Sequence, residues 1–166
     1  MGRYRAPSTP SSPYITAAGH QKLSEEWRHL WRVLRPEVTA ALAAAAAEGD
    51  RSENAEYIYR KKQLGEIDRR VRYLSKRLDS VKVIRDRPND QSAVYFGARV
   101  TVVDEQGKRS EYRIVGADEI DASKGYISID SPVARSLLKK RVGDEVEVML
   151  PAGPIGLEIE RIEYRT

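Results

Sequence analysis

Between residues 57 and 81 the apolar side chains of this chain recur on a seven-residue repeat. Tyr57, Leu64, Ile67, Val71, Leu74, Leu78 and Val81 occupy heptad a and d positions, and Arg60 alone interrupts the d series. Such a repeat draws one apolar stripe along an α-helix and requires a second helix to cover it. Leu23, Trp27, Leu30 and Leu34, spaced four, three and four, supply a matching stripe upstream. Two such segments joined by a short polar link predict an antiparallel helical hairpin. Its second arm, taken as about 33 residues at roughly 1.5 Å each, would be on the order of 50 Å long. Pro36 lies inside the first arm, where its missing N–H and ring clash predict a kink or helix restart near Arg35. The run Ala40–Ala47, with Leu42 its one larger member, is a strong helix former that leaves this end of the hairpin thin. Gly65 falls at an outward b position, at a cost of about 1 kcal/mol relative to alanine.

Beyond Arg85 the texture changes. Arg87-Pro88-Asn89-Asp90-Gln91 reads as a linker. Short β-branched or alternating runs follow at 99–103, 111–115, 126–129, 145–150 and 156–162, with turns at 104–107 and 124–125. Ser131 and Pro132 open a short helix over 131–140, as N-cap and first helical residue. The fold class is therefore α+β: an N-terminal antiparallel α-helical coiled-coil hairpin over 14–87, then a mostly antiparallel sheet domain with one short helix over 88–166. The prolines at 7, 10 and 13 mark residues 1–13 as a disordered tail.

Composition removes several classes of function. The chain has no cysteine and two histidines, which excludes disulfide scaffolds, thiolate metal sites and cysteine nucleophiles. Its longest apolar run is far short of the roughly 20 residues that span a bilayer. Residues 1–88 hold 18 Lys and Arg against 11 Asp and Glu, whereas residues 89–166 hold 11 against 14. A basic first half suits a polyanion or a negatively charged cleft.

The link between the arms, Glu48-Gly49-Asp50-Arg51-Ser52-Glu53-Asn54-Ala55-Glu56, carries the chemistry. Its plainer reading is a helix end at Gly49 followed by a capping box at Asp50 and Glu53, with Ser52 as helix cap. The same spacing lets the Asp50 and Glu53 carboxylates project from one side of a first turn. Two carboxylates cannot complete the six-oxygen shell of Mg²⁺, so such a site would be finished by a partner. Behind the link, Lys62, Arg69 and Lys76 share the outward f line, widened by Arg60, Lys61, Arg70, Arg72 and Arg77, with Tyr59 and Tyr73 beside them. Excess cations with adjacent aromatics suit a nucleic-acid backbone and an unpaired base, although charged coiled-coil faces are often only solvated.

The segments GDRSENAEY, YRKK, EIDRRVRYLSKRL, YISIDSPVARSLLKK and VGDEVEV, within a similarity running from Tyr14 to about Tyr164, resemble the GreA/GreB family of bacterial transcript cleavage factors. The EIDRRVRYL segment resembles the GreB branch of that family rather than the GreA branch. The resemblance implies an FKBP-like C-terminal domain and a cytoplasmic, monomeric accessory factor rather than an enzyme. It implies binding to RNA polymerase, with the hairpin inserted through the secondary channel to stimulate hydrolysis of backtracked nascent RNA. Asp50 and Glu53 would then help hold a Mg²⁺ shared with the polymerase, with Ser52 a further candidate at the tip. The basic stripe would face the RNA 3′ end, and Asp130, Ser131 and Pro132 would contact the polymerase. Two alternatives are a channel occupant that regulates without cleavage and a simple RNA-binding coiled coil.

Overall fold

The heptad repeat folds as one long helix. The computed structural model describes residues 10–49 and 54–165, and within it α3 runs Ala55–Ser80. Its 26 residues span on the order of 39 Å, shorter than the sequence suggests. The helix stops because Lys82–Ile84 leave it for a strand. The first arm comprises α1, Ala17–His29, and α2, Arg35–Ala46, joined by a π-turn at Leu30–Leu34. Pro36 accounts for the turn. It offers no N–H to the carbonyl four residues back, and the chain widens so that the Arg35 N–H reaches Leu30, five residues back. The expected disturbance near Arg35 is therefore a π-turn immediately before it.

Two compact units result, dividing at 19/20 and 81/82 rather than at 87/88. In the hairpin unit, Ile67, Val71 and Leu74 of α3 are buried with Leu23, Val38 and Ala45 of the first arm. Trp27, Leu30, Leu34 and Leu64 pack around Val38, Ile67 and Val71. Each fully buried aliphatic side chain contributes about 1.5–3 kcal/mol, so the a/d seam holds the arms together. Polar bonds fix the register. The Trp27 indole N–H donates to Ser75 Oγ at 2.8 Å, Arg35 donates to Asp68 at 2.8 Å, and Arg70 grips Glu26 with two bonds of 2.7 and 3.0 Å.

The other unit is built on a five-stranded sheet. Strands β3 (Arg99–Asp104), β4 (Arg109–Val115), β5 (Tyr126–Ser128), β6 (Glu145–Leu150) and β7 (Gly153–Glu163) lie in the order β5-β4-β3-β7-β6. Only the β4–β5 pair is parallel. Val100, Val102, Ile114, Val148 and Ile159 line its core face beneath α4, Pro132–Leu137, which contributes Ala134 and Leu137. Leu157, Ile159, Ile162 and Tyr164 all reach this core, although a three-residue step interrupts their alternation. A bulge resolves it. Thr101 faces Arg161 and Val102 faces Ile159, leaving Glu160 unpaired and shifting the phase of the strand.

Residues 12–16 join this unit instead of forming tail or hairpin, and the first turn of α1, up to Gly19, packs with them. Strand β1, Tyr14–Thr16, pairs in parallel with β2, Lys82–Ile84. Pro13 accepts from the Lys82 N–H at 2.7 Å, and the Ser12 N–H donates to Asp130 at 2.8 Å. Glu119 clasps the segment by accepting from the backbone N–H of Thr16 at 3.1 Å and of Gly116 at 2.8 Å. A side chain at Gly19 would strike that carboxylate, and one at Gly116 would strike the Tyr14 carbonyl. No helix among the described residues is long and apolar enough to cross a membrane.

Candidate functional site

Asp50, Ser52 and Glu53 lie outside the described residues; the helix ends that carry them do not. Asn54, not Ser52 or Asp50, is the N-cap of α3: its Oδ1 accepts from the Tyr57 N–H at 3.0 Å. Its amide Nδ2 donates to the Ala45 carbonyl at 2.6 Å. One side chain thus satisfies an orphan N–H at the start of one helix and a carbonyl in the last turn of the other. An ionised aspartate has no donor for the second bond, and a serine hydroxyl would have to make both through a single oxygen. The link between Ala46 and Asn54 is pinned at its base, with acids at 48, 50 and 53 in its sequence. Asn54 is the residue that sequence reasoning missed, although asparagine is among the preferred N-caps.

The cations of α3 divide into two sets. Arg60, at the d vacancy, folds back onto Glu56 at 2.8 Å and Gln63 at 3.0 Å. Arg70 is held by Glu26 and lies over the Tyr73 ring at 5.3 Å. Lys61 lies over Tyr57 at 6.0 Å, and Arg77 is half-buried near the helix end. By contrast Lys62, Arg69, Arg72 and Lys76 are exposed and form no ion pair among the described residues. These four occupy outward b and f positions. Tyr59 and Tyr73 beside them are 58% and 46% exposed, but Arg60 and Arg70 already lie over their rings at 5.4 and 5.3 Å. The available basic stripe is narrower than the eight residues named from the sequence, and every member lies on one helix face.

Asp130, Ser131 and Pro132 have local work in the sheet unit. Ser131 Oγ accepts from the Ala134 N–H at 3.2 Å as the N-cap of α4, and Pro132 is the first residue of that helix. Asp130 accepts the Ser12 N–H. Pro132 is exposed and the other two are half-buried. Among the described residues no three His, Asp or Glu side chains are gathered to hold a metal ion.

Comparison with known proteins places this arrangement. The GreA/GreB N-terminal family profile matches residues 13–83 and the GreA/GreB C-terminal profile matches 88–164. The chain belongs to the GreA/GreB family of transcription elongation factors. It is 59% identical to the transcription elongation factor GreB of Xanthomonas axonopodis, over 99% of this chain and 98% of that one. It is 54% identical to the GreB of Pseudomonas aeruginosa, again over 99% and 98% of the two chains. Among solved structures, Thermus aquaticus Gfh1 is similar at 22% identity over 93% of this chain and 99% of that chain, with a TM-score of 0.43. Divided by structural unit, residues 20–81 hold 13 Lys and Arg against 10 Asp and Glu, and the sheet unit holds 16 against 15, so the excess of positive charge lies mainly on the hairpin.

Proposed function

We propose that this chain binds RNA polymerase and stimulates cleavage of backtracked nascent RNA, as an accessory factor that supplies carboxylates to the polymerase active site. The observation that carries this reading is the pinned link of the hairpin. Asn54 ties the two helix ends together, so the chain that carries these acids leaves and re-enters between two fixed helix ends. Membership of a family of elongation factors supports it, as do the open cations along α3.

In this mechanism Asp50 and Glu53 would hold one Mg²⁺ together with polymerase groups, since two carboxylates complete only part of its oxygen shell. That ion, when bound, neutralises charge on the phosphate and lowers the pKa of an attacking water. The chain's own tasks are to present the two carboxylates and to draw the extruded RNA along Lys62, Arg69, Arg72 and Lys76. Asp130 and Pro132 would meet the polymerase, while Ser131 keeps its capping role.

The test is a stalled elongation complex with added protein and magnesium, read as shortened RNA on a gel. Asp50→Asn and Glu53→Gln should each abolish stimulated cleavage while leaving polymerase affinity within about threefold, because carboxylate and amide have nearly the same shape. Wild-type cleavage by either neutral variant would refute the donation of carboxylates. Binding without any cleavage by the unaltered chain would mark it as a non-cleaving regulator.

A further inference from the structure

The sheet unit contains a cavity of about 400 Å³ whose charged lining is Arg85, Arg87, Arg113, Arg165 and a single carboxylate, Asp86. Four guanidinium groups in one concavity repel one another unless something negative enters, and low-dielectric walls focus their field. Arg165 is compensated by Glu111 at 3.4 Å and Glu163 at 3.5 Å. Arg85 and Arg87 are exposed and have no ion pair among the described residues. Arg113 donates through Nη1 to the Tyr126 hydroxyl at 3.5 Å, and this bond holds the phenol below its ordinary value. Its Nε is buried with no partner, as is that of Arg99 opposite it across the β3–β4 ladder. Both Nε atoms have essentially no accessible surface, so neither is reached from the cavity and the case for an anion rests on the arginines that line it.

The remaining walls are mostly apolar, with Thr16 and Tyr164 as their polar members. Ala17 and Ala18 bring the first turn of α1 to the cavity. That turn has no acidic side chain of its own, but the Glu119 carboxylate accepts from the Thr16 N–H at the helix start and offsets its dipole, so the cationic field of the cavity comes from the arginines. Phe96 and Pro88 form a flat apolar side, with the Phe96 ring propped at 57° against Tyr14. The volume falls in the range of small-molecule sites, about 300–1,000 Å³. Arginine forks match phosphate oxygens in bidentate fashion, and an aromatic side chain offers a face to a base.

We infer that this cavity is a nucleoside polyphosphate site, with the phosphates on Arg85, Arg87 and Arg113 and the base against Phe96. It is separate from the tip carboxylates and does not depend on the cleavage reading. Both the ligand class and the place distinguish it from the nucleic-acid stripe of α3.

Calorimetric titration of the full chain, without polymerase, tests this with ATP, adenosine, pyrophosphate and a short single-stranded RNA as probes. ATP should bind, pyrophosphate should bind more weakly, and adenosine should not bind. The Arg85→Ala/Arg87→Ala double variant should lose about tenfold or more in ATP affinity, as expected for two lost charge-assisted phosphate contacts. Lys108→Ala/Lys140→Ala removes the same charge from exposed positions outside the cavity and should change it by less than about twofold. In the unaltered chain, ATP should shift the amide resonances of Phe96 and Gly97, a readout that requires no variant to fold. Absence of ATP binding, equal losses in the two double variants, pyrophosphate binding as tightly as ATP, or RNA displacing ATP from the arginines at lower concentration would each overturn the inference.

Discussion

Tyr164 shows how much a single side chain near the end of a sequence can hold. Its ring lies in the sheet core, while its hydroxyl donates to the Ala93 carbonyl at 2.5 Å and accepts the Tyr95 N–H at 2.8 Å. Tyr164→Phe keeps the ring and strands both backbone groups, so unfolding free energy should fall by about 1–3 kcal/mol in urea titrations. The pH dependence has a definite sign. Burial raises the phenol above its ordinary value, so the folded state retains a proton that the unfolded chain releases near pH 10. Stability conferred by Tyr164 is thus full below that value and declines as pH rises through the folded value. The gap between wild type and Tyr164→Phe should narrow above pH 10; a gap that widens there would contradict the burial. Tyr126 titrates in the opposite sense, but it is present in both proteins and cancels. Nothing in the spacing of the sequence sets Tyr164 apart, because its partners are backbone groups about seventy residues away.

Among the elements, α3 was the most legible. A heptad repeat states both the helix and the face that must be covered, and Ile67, Val71 and Leu74 are buried as it requires. Gly65 is the element's weak point. A Cβ there would meet only the tip of Arg69, Nη1 at 3.4 Å, a flexible group that can move aside. Gly65→Ala should therefore raise stability by about 0.5–1 kcal/mol, read as a higher urea midpoint with an unchanged slope. A lower midpoint would show that the glycine serves the backbone. Strands β3 to β7 were also legible from their alternation, including β6 at the same limits. The β1–β2 pair was not, since each strand has three residues and neither forms without the other. The bulge at Glu160 shows in the sequence as a broken alternation, yet its meaning depends on strand β3 alongside.

At the level of the whole molecule, the proposed activity requires the hairpin to capture RNA as well as to present acids. The triple variant Lys62→Ala/Arg69→Ala/Lys76→Ala removes three open cations from one helix face. Stimulated cleavage of long backtracked transcripts should weaken, and the salt dependence of that stimulation should flatten by roughly 0.7 per lost phosphate contact on a logarithmic plot. Cleavage assays over a salt series check this; an unchanged slope would return the stripe to a solvated coiled-coil face. The sequence alone determined the hairpin, the alternating strands, the capped helix α4 and the family, because each is written in residues close together or in a long run of matching motifs. Tertiary structure alone decided which cations are free. Arg70, at g beside the seam, and Lys62, at the outward f position, are both cations of one helix, but Glu26, forty-four residues from Arg70, claims the first and the second is left to solvent. The same holds for Asn54, whose bond to Ala45 exists only after the two helices have come together. A side chain's availability depends on its neighbours in space, and short-range spacing cannot specify them.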